Sequence, residues 1–280
     1  RPVLPSFIYL PEAHDEVPET LALPWHDTPP DQVVGAYARQ VASRTPGKVV
    51  ASAKSWLCYE NLDRRADILP YDRTAPPRRI SPVTASRLCL EHLRDAWNWQ
   101  MAREDRSLRL EDQDVMLTVP ASFDAVAREL TVEAARQAGL SVRLLEEPQA
   151  AFYSWLHTQG ENWRQSVADG DVILVCDIGG GTTDFTLIAE LDDEGDLVLE
   201  RLAVGEHTLL GGDNMDLTLA YTMAAKIQRD QGTRLDAYQI AALTHACRDA
   251  KEHLGAGAET AQPLTILGRG TGLVGGTITT

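Results

Sequence analysis

A chain of 280 residues with 44% hydrophobic and 24% charged side chains lies in the range of soluble globular proteins and is long enough for two lobes with separate cores. Its 41 acidic against 26 basic side chains give a formal charge of -15, which opposes sequence-independent attraction to nucleic acid or to an anionic membrane. The four cysteines, Cys58, Cys89, Cys176 and Cys247, form no C-x-x-C pair and have no histidine at ligand spacing, so the expectation is buried, reduced thiols rather than zinc or disulfides.

Taken in order, residues 1–80 are proline-rich and their regular elements are expected to be short. One helix is expected from an Asp31 cap through Val33, Val34, Tyr37, Ala38 and Val41. Ser81-Pro82 reads as a cap and first-turn proline, opening a helix with Val83, Leu90, Leu93 and Trp97 inward. Residues 115–119 read as a buried strand stopped by Pro120. A helix from Asp124 follows, with Val126, Leu130 and Ala134 on one side and Gly139 as its stop. A strand at 142–145 and a helix at 149–157 complete a strand-helix alternation typical of an α/β lobe.

After a polar connection, three strands are expected at 172–176, 185–191 and 197–204, the last two joined by a turn at 192–196. Helices at 213–231 and 236–254 each start at an aspartate. Residues 263–280 read as glycine-punctuated strand. No apolar run approaches the roughly 20 residues that cross a bilayer. The first residues lack a signal-peptide layout, so a cytoplasmic home is expected. The chain does not begin with methionine and ends in a strand-like stretch, which leads to the expectation of a segment of a longer protein.

The chemistry concentrates in Asp177-Ile178-Gly179-Gly180-Gly181-Thr182-Thr183-Asp184. Three glycines between two apolar strands cost entropy and contribute no packing, so a close-approaching ligand is one reason for them. Without Cβ atoms, the backbone can aim amide hydrogens at phosphate oxygens, and Thr182 and Thr183 can add hydroxyl donors. Asp177 and Asp184 would repel a phosphate unless a magnesium ion lay between. No Gly-Lys-Ser/Thr and no following helix are present, so this is not a Walker loop, and the G-x-G-x-x-G spacing is absent as well. The plainer reading is a hairpin turn whose aspartates are turn formers.

Five stretches, in order, resemble the seventy-kilodalton heat-shock chaperones (DnaK-like) of the actin, sugar-kinase and heat-shock ATPase superfamily. Leu117-Thr118-Val119-Pro120-Ala121-Ser122-Phe123 is similar to T-V-P-A-x-F, Ala138-Gly139-Leu140 to A-G-L, and Glu147-Pro148-Gln149-Ala150-Ala151 to N-E-P-T-A-A. Asp177 to Asp184 resembles D-L-G-G-G-T-x-D, and Leu210-Gly211-Gly212-Asp213-Asn214-Met215-Asp216 resembles L-G-G-x-D-F-D. The resemblance implies an α/β, actin-like (ribonuclease H-like) two-lobe fold, incomplete in this chain. Residues 1–98 would be the outer and 99–166 the inner subdomain of lobe I. Residues 170–209 would start the inner subdomain of lobe II, and 210–280 would belong to its outer subdomain.

It also implies site residues. Lys54, Glu147, Asp177, Thr182 and Asp184 match catalytic positions, with Asp177 and Glu147 reaching magnesium through water. Gly179, Gly180, Gly181, Thr182, Thr183, Gly211, Gly212, Arg248 and Lys251 match or neighbour nucleotide-binding positions. Pro120 and Arg128 match a proline and an arginine that relay nucleotide state. ATP or ADP with Mg2+ is the implied cofactor; a J-domain co-chaperone, a nucleotide exchange factor and unfolded polypeptide are the implied partners of the intact protein.

The adenosine helix of that family reads E-x-x-K-R-x-L-S, and here only Lys251 is kept: Arg248 replaces the glutamate, Glu252 the arginine and Gly255 the serine. A guanidinium stacks on a purine face and a carboxylate does not, which leaves Arg248, one turn away, as the alternative stacking group. The first phosphate loop, D-x-G-T-T, and the second adenosine loop, G-G-S/T-R-x-P, are not found in the sequence, so weak nucleotide binding or none by these residues alone is expected. Two other functions stay open: another actin-like or sugar-kinase ATPase, and an interaction module whose nucleotide site has drifted.

Overall fold

The computed structural model describes residues 3–15, 17–26, 28, 30–59, 61–71, 78–168, 170–193, 196–205, 208–257, 261–268 and 276–278. The first strands are β1 (Phe7–Tyr9), β2 (Val33–Val34) and β3 (Val49–Ala51), an antiparallel sheet in the order β2-β1-β3. Alternation along β1 sends Phe7 and Tyr9 into a cluster with Val33, Ala38 and Val49, while Ile8 and Leu10 enter a second cluster with Val50, Leu69 and Leu88. The helix expected from Asp31 starts later. Val33 and Val34 pair with Tyr9 and Ile8, and Gly35, at φ +100, separates them from α1 (Ala36–Val41). Two adjacent β-branched residues gain more from that pairing than from a helix.

Helix α2 (Ala53–Trp56) follows β3 directly and places Lys54 and Ser55 at the edge of this subdomain. Helix α3 (Pro82–Met101) begins as its sequence signals: the Ser81 Oγ accepts the Thr84 N–H at 3.0 Å. Its buried face carries Val83, Ala85 and Leu88, whereas Leu93 and Trp97, expected inward, are exposed. The α3 core partners stop near its second turn, and the Trp97 ring nitrogen instead donates to the Leu108 carbonyl at 2.8 Å.

Strands β4 (Val115–Val119) and β5 (Val142–Glu146) pair in parallel, joined by α4 (Ala125–Gln137), the strand-helix-strand unit the sequence predicts. Asp124 caps α4 by accepting the Ala127 N–H. Ala127, not Val126, shares the inward face with Leu130 and Ala134. Helix α5 (Glu147–Gln159) leaves β5 without a loop, so Glu147 sits at the junction of strand and helix.

The second half opens with β6 (Val172–Ile178), β7 (Thr183–Asp193) and β8 (Asp196–Val204), an antiparallel sheet in that order. Glu194 and Gly195 of the expected β7–β8 turn lie outside the described residues. Along β6, alternation turns Val172, Leu174, Cys176 and Ile178 to the exposed face. Cys176 is therefore exposed, not buried; Cys247 is buried, Cys58 and Cys89 are half-buried, and all four are free thiols. Helices α6 (Gly212–Gln231) and α7 (Ala237–Gly255) pack together over Ala220, Met223, Leu243 and Cys247. Asp236 caps α7 and, with Gln239, closes a capping box. Strands β9 (Leu264–Ile266) and β10 (Gly276–Ile278) pair antiparallel; residues 269–275 and 279–280 of the expected closing strand lie outside the described residues. Among the described residues no helix is long and apolar enough to cross a membrane.

Candidate nucleotide site

The glycine turn closes the β6–β7 hairpin. Asp177 faces Asp184 and Ile178 faces Thr183 in the ladder, and the Gly179 N–H donates to the Thr182 carbonyl at 2.8 Å. Alternation turns Asp177 and Asp184 to the same, inner side of the sheet, where Asp184 is buried. The turn is docked onto the start of α6: Gly212 and Asp213 donate their N–H groups to the Gly179 and Gly180 carbonyls at 3.0 and 2.7 Å. This approach is what requires Gly211, since a Cβ there would lie 2.6 Å from both carbonyl oxygens. The Thr183 hydroxyl donates to the Leu210 carbonyl at 2.8 Å, which ties the β7 start to the same loop.

The first half of the chain meets this turn from the other side. A Cβ on Gly181 would lie 1.8 Å from the Ser55 Oγ, so Ser55 of α2 rests directly on the turn. The Ser52 hydroxyl bonds the Asp213 carboxylate, and the Ser122 hydroxyl bonds Asp184. Lys54 forms an ion pair with Glu147. Burial raises the Glu147 carboxyl above its ordinary pKa, the Asp177 and Asp184 charges push it the same way, and Lys54 opposes them. Lys54, Glu147, Asp177 and Asp184, on the four elements α2, α5, β6 and β7, are thus brought within electrostatic reach of one another.

Arg128 holds the strand end around the fully buried Pro120: its guanidinium donates to the Phe123 and Ala121 carbonyls at 3.0 Å each and to Glu146 at 3.0 Å. Arg201 of β8 reaches the same Glu146 oxygen at 2.5 Å. Ser122 and Arg201 therefore connect the Pro120 segment to β7 and β8 of this sheet. Sequence reasoning missed Ser52, Ser55, Ser122, Glu146, Arg201 and Asp213. None of them has a local signal, except that Ser122 lies inside the Leu117 to Phe123 stretch and Asp213 inside the Leu210 to Asp216 stretch.

On α7, Arg248 donates from Nε to Asp216 at 2.8 Å, pairs with Asp213, and holds its guanidinium carbon 5.2 Å from the centre of the Phe7 ring. Lys251 lies 2.6 Å from Asp216 and donates to the Gly212 carbonyl at 3.0 Å. Glu252 and Asp249 pair with Arg39 of α1 at 2.5 and 3.1 Å. Of the α7 positions expected near the adenosine, Arg248, Lys251 and Glu252 are engaged with protein.

Among the described residues, the one trio of possible metal ligands within 4.8 Å of one another is Glu12, His14 and Asp15. The Lys48 ammonium fills its centre, 2.5 Å from Glu12 and 2.8 Å from Asp15, and so supplies the positive charge there.

Residues 25–272 match the family model described as Hsp70 protein. The chain belongs to the Hsp70 family. It is 33% identical over 249 residues to a "Chaperone protein HscA homolog" of Acidithiobacillus ferrooxidans, covering 84% of this chain and 36% of that protein. It is 33% identical over 202 residues to "Chaperone protein HscA" of Photorhabdus laumondii, covering 70% and 30%, and 34% identical over 196 residues to the protein of that name in Xenorhabdus nematophila, covering 68% and 30%. The chain spans about a third of the length of these curated relatives, 36% of the first and 30% of the other two. Family membership makes it part of a nucleotide-binding chaperone domain with the actin-like ATPase fold, and the small α/β sheets fit an incomplete two-lobe version of that fold.

Proposed function

We propose that, in the intact protein, these residues form part of a magnesium-ATP site that hydrolyses ATP to drive a chaperone cycle. The observation that carries this is the convergence of Lys54 and Glu147 from lobe I on the Asp177 to Asp184 turn of lobe II. Three carboxylates facing a single lysine form an oxygen-rich, negatively charged set that suits a hard divalent cation. As the resemblance implies, Asp177 and Glu147 would hold it through water. The bound nucleotide supplies the scissile phosphoanhydride, and magnesium offsets its charge.

The chain's own residues do the remainder. Gly179, Gly180 and Gly181 let the backbone approach, and Thr182 and Thr183 flank them with hydroxyls. Lys54 contributes positive charge where negative charge builds up on a transferring phosphoryl group, and Asp184, steadied by Ser122, orients water. Pro120 and Arg128, coupled to Glu146 and Arg201, carry a change in lobe position away from the site. As in the family, a J-domain co-chaperone, a nucleotide exchange factor and unfolded polypeptide would act through the intact protein, in the cytoplasm.

A second reading is favoured by the engagement of Arg248, Lys251 and Glu252 with protein groups: a module that keeps the fold without hydrolysing nucleotide. Magnesium-dependent ATP turnover by the intact protein separates the two. Lys54→Ala and Asp177→Ala should each lower turnover roughly hundredfold or more. Turnover that survives both substitutions sinks the site assignment, and an inactive wild type leaves the second reading standing.

A further inference from the structure

The glycine turn already has an anion on it. Asp213 is the second residue of α6, and its N–H donates to the Gly180 carbonyl at 2.7 Å, which fixes its backbone against the turn. Its carboxylate folds back over the glycines. A Cβ on Gly180 would lie 3.7 Å from Oδ1, and one on Gly181 would lie 3.9 Å from Oδ2. The space that the absence of Cβ atoms opens is therefore shared by the Asp213 carboxylate and the Ser55 hydroxyl. Two donors from opposite sides grip that carboxylate, Ser52 from lobe I and Arg248 from α7. Arg248 is anchored independently, because its Nε donates to Asp216, which is fully buried and also paired with Lys251.

We propose that Asp213 is an internal anionic plug of the phosphate turn, which an incoming phosphate chain must displace. This rests on the reading of the turn as a phosphate site. A carboxylate and a phosphate cannot share one set of donors without strong repulsion. Displacement of Asp213 leaves Arg248 still fastened to Asp216 through Nε, with its outer N–H groups turned from the carboxylate to the new anion. The plug therefore sets the affinity of the turn for phosphate and, through Ser52, joins the two lobes as long as the turn is empty of ligand. Ion pairing with Arg248 holds the Asp213 carboxylate in place, because leaving the largely buried guanidinium unpaired is costly unless another anion takes over.

Calorimetric binding of magnesium-ATP and of magnesium tripolyphosphate to the intact protein tests this, with Asp213→Asn and Ser52→Ala measured beside the wild type. Asp213→Asn preserves shape and removes the charge, and it should tighten binding of both probes roughly tenfold. Ser52→Ala removes one grip on the carboxylate and should tighten binding by a smaller factor, about two- to threefold. Adding Arg248→Met to Asp213→Asn should reverse the gain. If the wild type binds and neither variant binds more tightly, the plug is refuted while the phosphate site stands. If no protein in the set binds either probe, both fall.

Discussion

The Arg248 guanidinium meets the Asp216 carboxylate at 2.8 Å, in a place where no part of Asp216 reaches solvent. Lys251 completes the neutralisation at 2.6 Å. The pairing is a structural anchor for the α6–α7 layer. Removing the carboxylate leaves Arg248 only Asp213 and Lys251 only the Gly212 carbonyl, and for a buried network the broken pair is far more costly than its net worth. Asp216→Ala should lower unfolding stability by about 3 kcal/mol, read as a shift in the urea midpoint. A loss under about 1 kcal/mol would mean that the site is open to water.

Gly211→Ala gives a second, purely steric outcome. The added methyl group would meet two carbonyl oxygens at 2.6 Å, and both belong to backbone that cannot swing aside. Either the glycine turn or the first turn of α6 must move. The expected cost is about 2 kcal/mol, with loss of hydrogen-exchange protection at the Gly212 and Asp213 amides. Unchanged protection there would show that the turn and helix are not docked.

Much of this framework is legible from local chemistry. Ser81, Asp124 and Asp236 announce helix starts because a capping side chain acts within three residues of itself. The glycine turn is legible because three glycines in a sheet demand a reason. What escaped depends on distant partners. Val33 and Val34 are strand only because β1 lies beside them, and Cys176 is exposed because strand pairing, not its apolar neighbours, decides which face it takes. Ser52 and Asp213 lie 161 positions apart and carry no mutual signal in a single sequence. The proposed catalytic set rests on resemblance, whereas the engagement of Arg248 and Glu252 with protein required coordinates.

Arg39 links α1 to Asp249 and Glu252 of α7, yet all three side chains are roughly one-third to one-half exposed. Water and salt screen such a pair, and two long side chains lose rotamer freedom to make it. Arg39→Ala should therefore cost less than about 1 kcal/mol, and the difference should vanish in 1 M salt, where the Debye length is about 3 Å. A larger, salt-independent loss in urea titrations would overturn this estimate.

His245 supplies the pH dependence. It lies between α7 and β1, its ring centre 6.0 Å from that of Phe7. Burial, with the Arg248 charge acting the same way and Asp216 opposing them, lowers its pKa from 6.5 to about 4. The folded protein therefore holds this imidazole neutral, whereas the unfolded chain takes up a proton below pH 6.5. The resulting stability is fully present above pH 6.5 and is lost as the pH falls towards 4, by about 3 kcal/mol over the whole window. His245→Gln removes this titration and leaves every carboxylate in place. Urea unfolding at pH 7.5 and pH 4.5 should then show the wild type losing about 2 to 3 kcal/mol more than the variant. Equal losses would mean that the ring is solvated in the folded state, and the packing of α7 on Phe7 would have to be redrawn.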